Sequence, residues 1–310
     1  MSYCFGIDIG GTTVKCGLFT TEGVLLEKWE IKTRTEENGK AILPDVAETI
    51  LKKMEEKGIE KTEVTGVGVG VPGPVVKERE VQVAVNLHWG YTMLADDLEK
   101  LLDQIPVKVG NDANVAALGE MWRGGGQGFG NMVLVTLGTG VGGGVILGGK
   151  ILTGATGAAG EIGHIHIEDK EGDACGCGNH GCLEQYASAT GIVRLAKRRL
   201  EADTKDSVLR QGEVSAKTVF DAVKAGDEVA CEIAEQFGQY LGKGLAAIAA
   251  VVNREAFVIG GGVSKAGDIL CRYITKYYEK YAFHGCRDAQ FKLATLGNDA
   301  GICGAAKLVL

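Results

Sequence analysis

Three cysteines, Cys175, Cys177 and Cys182, lie within eight residues, in the run Cys175-Gly-Cys177-Gly-Asn-His180-Gly-Cys182-Leu-Glu184. Just upstream stands Gly160-Glu161-Ile-Gly-His164-Ile-His166. Three thiolates and one imidazole make a tetrahedral Cys₃His zinc site, and ligands this close in sequence suit a structural metal that folds a loop. Three imidazoles compete for the fourth position. His164 is one; His166 shares its face if the segment is a strand, and His180 sits inside the cysteine loop. The odd number of thiols argues against a disulfide framework. Glu161 and Glu184 bracket the stretch, so zinc bound through His164 would draw two carboxylates into one polar pocket.

A second kind of chemistry recurs at three glycine-rich turns. Asp8-Ile-Gly10-Gly11-Thr12-Thr13, with Lys15 close by, offers backbone N–H groups and hydroxyls around a carboxylate. Successive N–H groups form an anion-binding nest, and Asp8 is placed to hold hydrated Mg²⁺ beside phosphate oxygens. Residues 137–144, with Gly138, Thr139 and Gly140, make a second such turn, and Gly260, Gly261 and Gly262 a third. Each follows a strand-like run. Two turns for phosphates and one for a flat base and ribose point to a nucleotide. Asn111-Asp112 stands between a short strand and a helix. A carboxylate there suits a general base, and either residue equally suits a helix N-cap.

These groups need rigid elements. β-rich runs fall at 3–9, 14–19, 25–33, 64–71, 107–109, 132–137, 145–147 and 257–259. Ile42, Val46, Ile50, Leu51 and Met54 recur at helical spacing, with Gly58 as the stop. Further helices are expected at 94–102, 111–123, 183–200, 216–225, 228–252 and 269–281, with a last one ending at Leu308. Strand, glycine turn and strand occur twice, near 3–19 and near 132–147, which reads as an internal duplication. Two similar α/β domains follow, each contributing a glycine turn to a cleft: 1–115, completed by a C-terminal helix at about 298–310, and 116–297.

Composition narrows the partners. The net charge of −7 argues against nucleic acid, whose affinity rests on Lys and Arg neutralising phosphates. No apolar run reaches the ~20 residues that span a bilayer. The opening Met1-Ser-Tyr-Cys-Phe has strand character and lacks a basic-then-apolar leader. Nine cysteines, odd in number and unevenly scattered, suit a reduced, cytoplasmic chain. Cys4, Cys16, Cys231, Cys271, Cys286 and Cys303 read as small apolar core or surface residues, and Trp89 as an exposed-edge packing residue.

Taken in order, the Asp8–Thr12 turn, the Asn111-Asp112 step, the 137–144 loop, Glu161-Ile-Gly-His164 and the cysteine run through Glu184 resemble the bacterial ROK-family sugar kinases. The stretches from Asn111 to Gly124 and from Ala187 to Arg194 are most similar to the family's ATP-dependent, Gram-positive branch, and the likeness covers nearly the whole chain. It implies the actin-like, hexokinase-type ATPase fold, Mg·ATP as donor and a hexose as acceptor, with glucose first among fructose, mannose and N-acetylhexosamines. It implies Asp112 as general base, Asn111, Glu161, His164 and Glu184 as sugar ligands, and Gly73 and Asn86 as sugar-facing positions. It selects His164 for zinc, and homodimers or homotetramers are usual in the family. Sugar-responsive repressors of the same family are the competing class; there a DNA-binding segment precedes the kinase-like body, whereas here the first glycine turn begins at Asp8. Polyphosphate is the competing donor.

Overall fold

The computed structural model describes residues 2–310. Their contacts divide them into two units, one running through Gly128 with Gly144–Gly160 and Leu296–Leu310, the other comprising Phe129–Gly143 and Glu161–Thr295.

The first unit opens with β1 (Tyr3–Ile9), β2 (Thr13–Thr20) and β3 (Leu25–Lys32), followed by a single turn, α1 (Glu36–Gly39), and α2 (Ile42–Lys57). Then come β4 (Val64–Val71), the small hairpin β5 (Val75–Val76) and β6 (Glu80–Val81), α3 (Leu94–Leu101), β7 (Val107–Asn111) and α4 (Asp112–Arg123). The main sheet has the order β3-β2-β1-β4-β7. β1 and β2 are antiparallel, whereas β1, β4 and β7 run parallel. Phe5, Ile7, Ile9, Val67 and Val69 of this sheet share one core with Ile42, Val46, Ile50 and Met54 of α2. Leu51 falls off that stripe and is 39% exposed. Gly58 ends α2 at φ 63°, a left-handed cap that suits glycine. Trp89 is buried, not edge-exposed, and its indole N–H donates to Gly39 O at 3.3 Å.

The second sheet is built from β8 (Met132–Leu137), β9 (Val141–Leu147), β10 (Lys150–Ile151), β11 (Ala256–Gly260) and β12 (Gln290–Leu293), in the order β10-β9-β8-β11-β12; β8, β11, β12 and the start of β9 belong to the second unit, whereas β9 from Gly144 onward and β10 are grouped with the first. This repeats the first sheet's pattern of third, second, first, fourth and fifth strand. The second unit's helices are α5 (Glu184–Ala187), α6 (Ala189–Ala202), α7 (Ala216–Lys224), α8 (Glu228–Val252) and α9 (Asp268–Tyr281). The glycine turn is shorter than the sequence suggests, because β9 already begins at Val141. Gly142 and Gly144 serve close approach within the strand: a Cβ at Gly142 would lie 2.6 Å from Thr136 Oγ1. The helix expected over 183–200 breaks at Ser188, whose hydroxyl accepts from Gly191 N at 2.9 Å and caps α6. The edge strand β12 escaped the sequence reading because its half-buried alternation covers only four residues.

The chain ends in α10 (Ala300–Leu308), which belongs to the first unit. A Cβ at Gly304 would lie 1.7 Å from Val115 O, and one at Gly68 would lie 1.7 Å from Ala305 O. Glycine therefore lets α10 lie directly on α4 and β4. This is also why α4 stays whole in the first unit instead of being divided at residue 115.

Candidate active site

In the first unit the turn between β1 and β2 closes through Gly10 N donating to Thr13 O at 3.0 Å, and Thr33 Oγ1 donates to Gly10 O at 2.7 Å. Asp8 stands just before the turn, paired across the hairpin with Lys15 and beside Gly70 of β4. Glycine at 301 gives its carboxylate room, since a Cβ there would lie 2.5 Å from Asp8 Oδ2. Burial pushes the Asp8 carboxyl above its ordinary value; Lys15 opposes the rise and the charge of Asp112 adds to it. A half-buried carboxylate raised in this way, with a second carboxylate in its field, fits a divalent cation.

Asn111 is the N-cap of α4. Its Oδ1 accepts from Ala113 N at 3.1 Å and Asn114 N at 3.2 Å, and its Nδ2 donates to Gly73 O at 3.1 Å. Capping therefore falls to Asn111, and the exposed Asp112 stands at the helix N-terminus, where the backbone dipoles favour its charge. Gly73, at φ 97°, passes so close to Val83 O that a Cβ would lie 2.0 Å from it. Asn86 rests against the first turn, 3.4 Å from where a Cβ on Gly11 would be. The structure thus gathers Asp8, Gly10–Thr13, Lys15, Gly73, Asn86, Asn111 and Asp112 in one unit.

The second unit holds the rest. One ligand atom from each of His164, Cys175, Cys177 and Cys182 lies within 4.8 Å of all the others. Tetrahedral zinc with bonds of about 2.3 Å to sulfur sets S···S edges of about 3.8 Å. The Cys177 and Cys182 sulfurs are 3.7 Å apart, and His164 Nδ1 is 3.8 Å from Cys175 Sγ. The donor set and spacing fit the metal. Neither rival imidazole, His166 or His180, belongs to the group. Residues 162–164 form a 3₁₀ turn, not a strand, which removes the alternation argument for His166. His166 instead engages His180 O at 2.9 Å and Asp169 Oδ1 at 2.8 Å.

Glu184, the first residue of α5, joins the cluster to the second glycine turn. Its Oε1 accepts from Cys175 Sγ at 2.9 Å and lies 3.8 Å from His164 Nδ1, while its Oε2 accepts from Val141 N at 3.4 Å. A Cβ at Gly140 would stand 2.6 Å from that second oxygen, so glycine leaves room for the Glu184 carboxylate in this position. Glu161 Oε2 lies 3.9 Å from His164 Nε2, the ring nitrogen turned away from Cys175. The Gly138–Gly140 turn is braced by α6: Ala189 N donates to Gly138 O and Thr190 Oγ1 to Thr139 O, both at 2.7 Å. The third turn joins the second, because Gly261 at φ 83° passes over the end of β8, where a Cβ would lie 2.5 Å from Leu137 O. Beside it opens a mainly apolar cavity of about 360 Å³ whose walls include Phe220, Val263 and Gly262.

The sequence reading passed over Glu171, a carboxylate with no exposed side-chain surface. Burial alone would raise its pKa, but Arg198, Tyr186, the Asp173 N–H and Arg194 bring it down to about 2. Arg194 and Arg198, one helical turn apart, were the available signal: such a pair calls for an acid.

The chain matches the ROK family model over residues 4–310 and belongs to that family. Its fold is the actin-like ATPase fold of the ROK sugar kinases. It is 45% identical to the glucokinase of Halalkalibacterium halodurans, over 98% of this chain and 94% of that protein. A crystal structure of a ROK glucokinase from Streptomyces griseus with glucose and AMPPNP matches with TM-score 0.74 and 36% identity, covering 99% of both chains. A xylose repressor of Caldicellulosiruptor bescii is 30% identical over 90% of this chain and 70% of its own length.

Proposed function

We propose that this chain phosphorylates glucose to glucose 6-phosphate with ATP, as a hexose kinase of the ROK family. The observation that carries the reading is Glu184, one carboxylate shared by a metal-type thiolate cluster and a phosphate-type glycine turn. Sugar hydroxyls each donate and accept, so carboxylates with an oriented imidazole make a pyranose site. Glu161, His164 and Glu184 are that set in the second unit, and the first unit carries groups of the same chemistry in Asn111, Asp112, Gly73 and Asn86. The glucokinases of Halalkalibacterium halodurans and Streptomyces griseus match nearly the whole chain, at 45% and 36% identity.

In this reading Asp112 accepts the proton of the C6 hydroxyl as that oxygen attacks the γ-phosphoryl group and ADP leaves. The turns at Gly10–Thr13 and Gly138–Gly140 give backbone N–H groups to the phosphates, and Lys15 adds positive charge. Gly260–Gly262 and the apolar cavity beside Phe220 seat the base, which favours ATP over polyphosphate. Mg²⁺ at Asp8 would neutralise charge on the transferring phosphates. Zinc on His164 Nδ1 and the three thiolates would fix the imidazole so that Nε2 faces the sugar. Its binding would displace the Cys175 proton to solvent and free Glu184 Oε1 from that thiol. Thiolates of this kind persist in the reduced cytoplasm; among the described residues no helix is long and apolar enough to cross a membrane.

A coupled assay over glucose, fructose, mannose and N-acetylhexosamines, with ATP and polyphosphate as donors, tests the reading. The expected result is the highest kcat/KM with glucose and ATP. A higher value for another hexose would replace the substrate, and no turnover with any pair would overturn the proposal.

A further inference from the structure

Between the histidines and the first cysteine of the metal loop lies Glu168-Asp-Lys-Glu171-Gly-Asp173. By composition it is a solvated acidic spacer, yet the fold buries one of its carboxylates completely. Glu171 Oε2 accepts from Tyr186 OH at 2.6 Å and Arg198 Nη1 at 3.1 Å. Its Oε1 accepts from Arg198 Nη2 at 2.9 Å, Arg194 Nη2 at 3.1 Å and Asp173 N at 3.0 Å. Five donors on one buried carboxylate amount to full satisfaction of its lone pairs. Such a group fixes geometry more than it adds stability.

Its partners lead to both halves of the proposed chemistry. Tyr186 lies on α5, two residues after Glu184. Arg194 and Arg198 lie on α6, whose first turn donates to Gly138 O and Thr139 O. Arg194 also pairs with Asp173, and Gln185 Nε2 donates to Asp173 O at 2.9 Å while its Oε1 accepts from Cys182 N at 3.0 Å. The strand of chain entering Cys175 is therefore tied to the helix that carries Glu184 and to the helix that braces the second glycine turn. Arg194 lines a cavity of about 370 Å³ together with Thr139, Gly140, Cys175 and Glu184. Glu171 touches none of these four groups itself.

We propose that Glu171, acting through Arg194 and Arg198, is a positioning residue that sets the register of the metal loop against the Gly138–Gly140 turn. It thereby places Glu184 and His164 for the sugar. The inference rests on the sugar-kinase reading for the role of those ligands, but the clasp has a consequence independent of turnover. Cys175 is held from the spacer side by Glu171 and Asp173, so loosening the clasp eases escape of the metal.

The zinc-loaded protein and its Glu171→Gln variant test this. Outer-shell partners of metal ligands are typically worth roughly tenfold to a hundredfold in metal affinity or activity. Glu171→Gln should raise KM for glucose by about tenfold or more, leave kcat little changed because the lost interaction is uniform binding, and speed zinc release to a chromophoric chelator. Arg194→Gln should move KM and zinc release in the same direction, more weakly, since Arg198 keeps Glu171 paired; the double variant should be non-additive. If Glu171→Gln does not fold, Arg194→Gln decides alone. A lower melting temperature with KM for glucose and zinc release both unchanged would reduce Glu171 to a structural ion pair and overturn the proposal. Should the unmutated protein lack glucose kinase activity, the functional reading fails separately, and the zinc-release rates still decide the clasp.

Discussion

In the first unit the glycine turn at Gly10–Thr13 is held by regular structure: a hairpin in a five-stranded sheet, with α10 laid on α4 and β4 through glycines. The second sheet repeats the same strand order, yet the proposed ligands Glu161, His164 and Glu184 of the second unit stand in or just after an irregular segment of about twenty residues. There the sulfurs, the Glu171 clasp and the cap of α6 do what packing does in the first. The contrast teaches that one duplicated framework fixes its functional groups in two ways. Close packing is indifferent to metal and pH but intolerant of added volume. A polar and thiolate scaffold tolerates volume but depends on a metal ion and on charge.

The largest expected effect is catalytic and confined to the first unit. Asp112→Asn should lower kcat by roughly 10²–10⁴-fold, with zinc content unchanged and glucose binding still measurable by calorimetry; near-normal turnover would remove Asp112 as base. Next come paired perturbations of the two scaffolds. Stripping zinc, or Cys182→Ser, should weaken glucose binding by roughly tenfold to a hundredfold while amide exchange in β1, β4 and α10 stays protected. Gly304→Ala, which drives a Cβ into Val115 O, should do the reverse, costing about 1–3 kcal/mol of stability and leaving zinc bound. Loss of protection in β1 on chelation would break the distinction.

The smallest effect concerns Asp8. Its folded carboxyl titrates above the unfolded value because burial, aided by Asp112, outweighs Lys15. Below the unfolded pKa both states are protonated and nothing is lost. As pH rises from there through the raised folded pKa, the unfolded chain ionises first and stability falls. In metal-free protein Asp8→Asn should therefore be more stable than the parent near neutrality. The gain should vanish near pH 3, and turnover with Mg·ATP should be lost. An equal gain at both pH values would show that desolvation of the charge is not the cause.

Long periodic elements were legible. α8 runs Glu228–Val252 as its apolar stripe predicts, and β1, β4 and β8 match their β-branched runs. The two halves were legible as a repeat of strand, glycine turn and strand, though only the shared strand order makes the duplication plain. Legibility failed where residues of one type sit close together in irregular chain. His164 closes a 3₁₀ turn, Ile162–His164, that strand alternation between His164 and His166 cannot foresee. Among Glu168, Asp169, Glu171 and Asp173, nothing local marks the buried one.

The sequence by itself determined the chemical inventory: thiolates and imidazole for a metal, glycine turns for phosphates, carboxylates for hydroxyls, and Asp112 at a strand-to-helix step. These follow from residue type and short spacing, which the chain carries in linear form. Tertiary structure decided which of several equivalent side chains is placed for each proposed role. Arg194 and Arg198 lie 23 and 27 residues from Glu171, and Glu184 meets Val141 across 43. Burial and charge pairing depend on partners that only the folded chain brings within reach, so selection among like residues belongs to the fold.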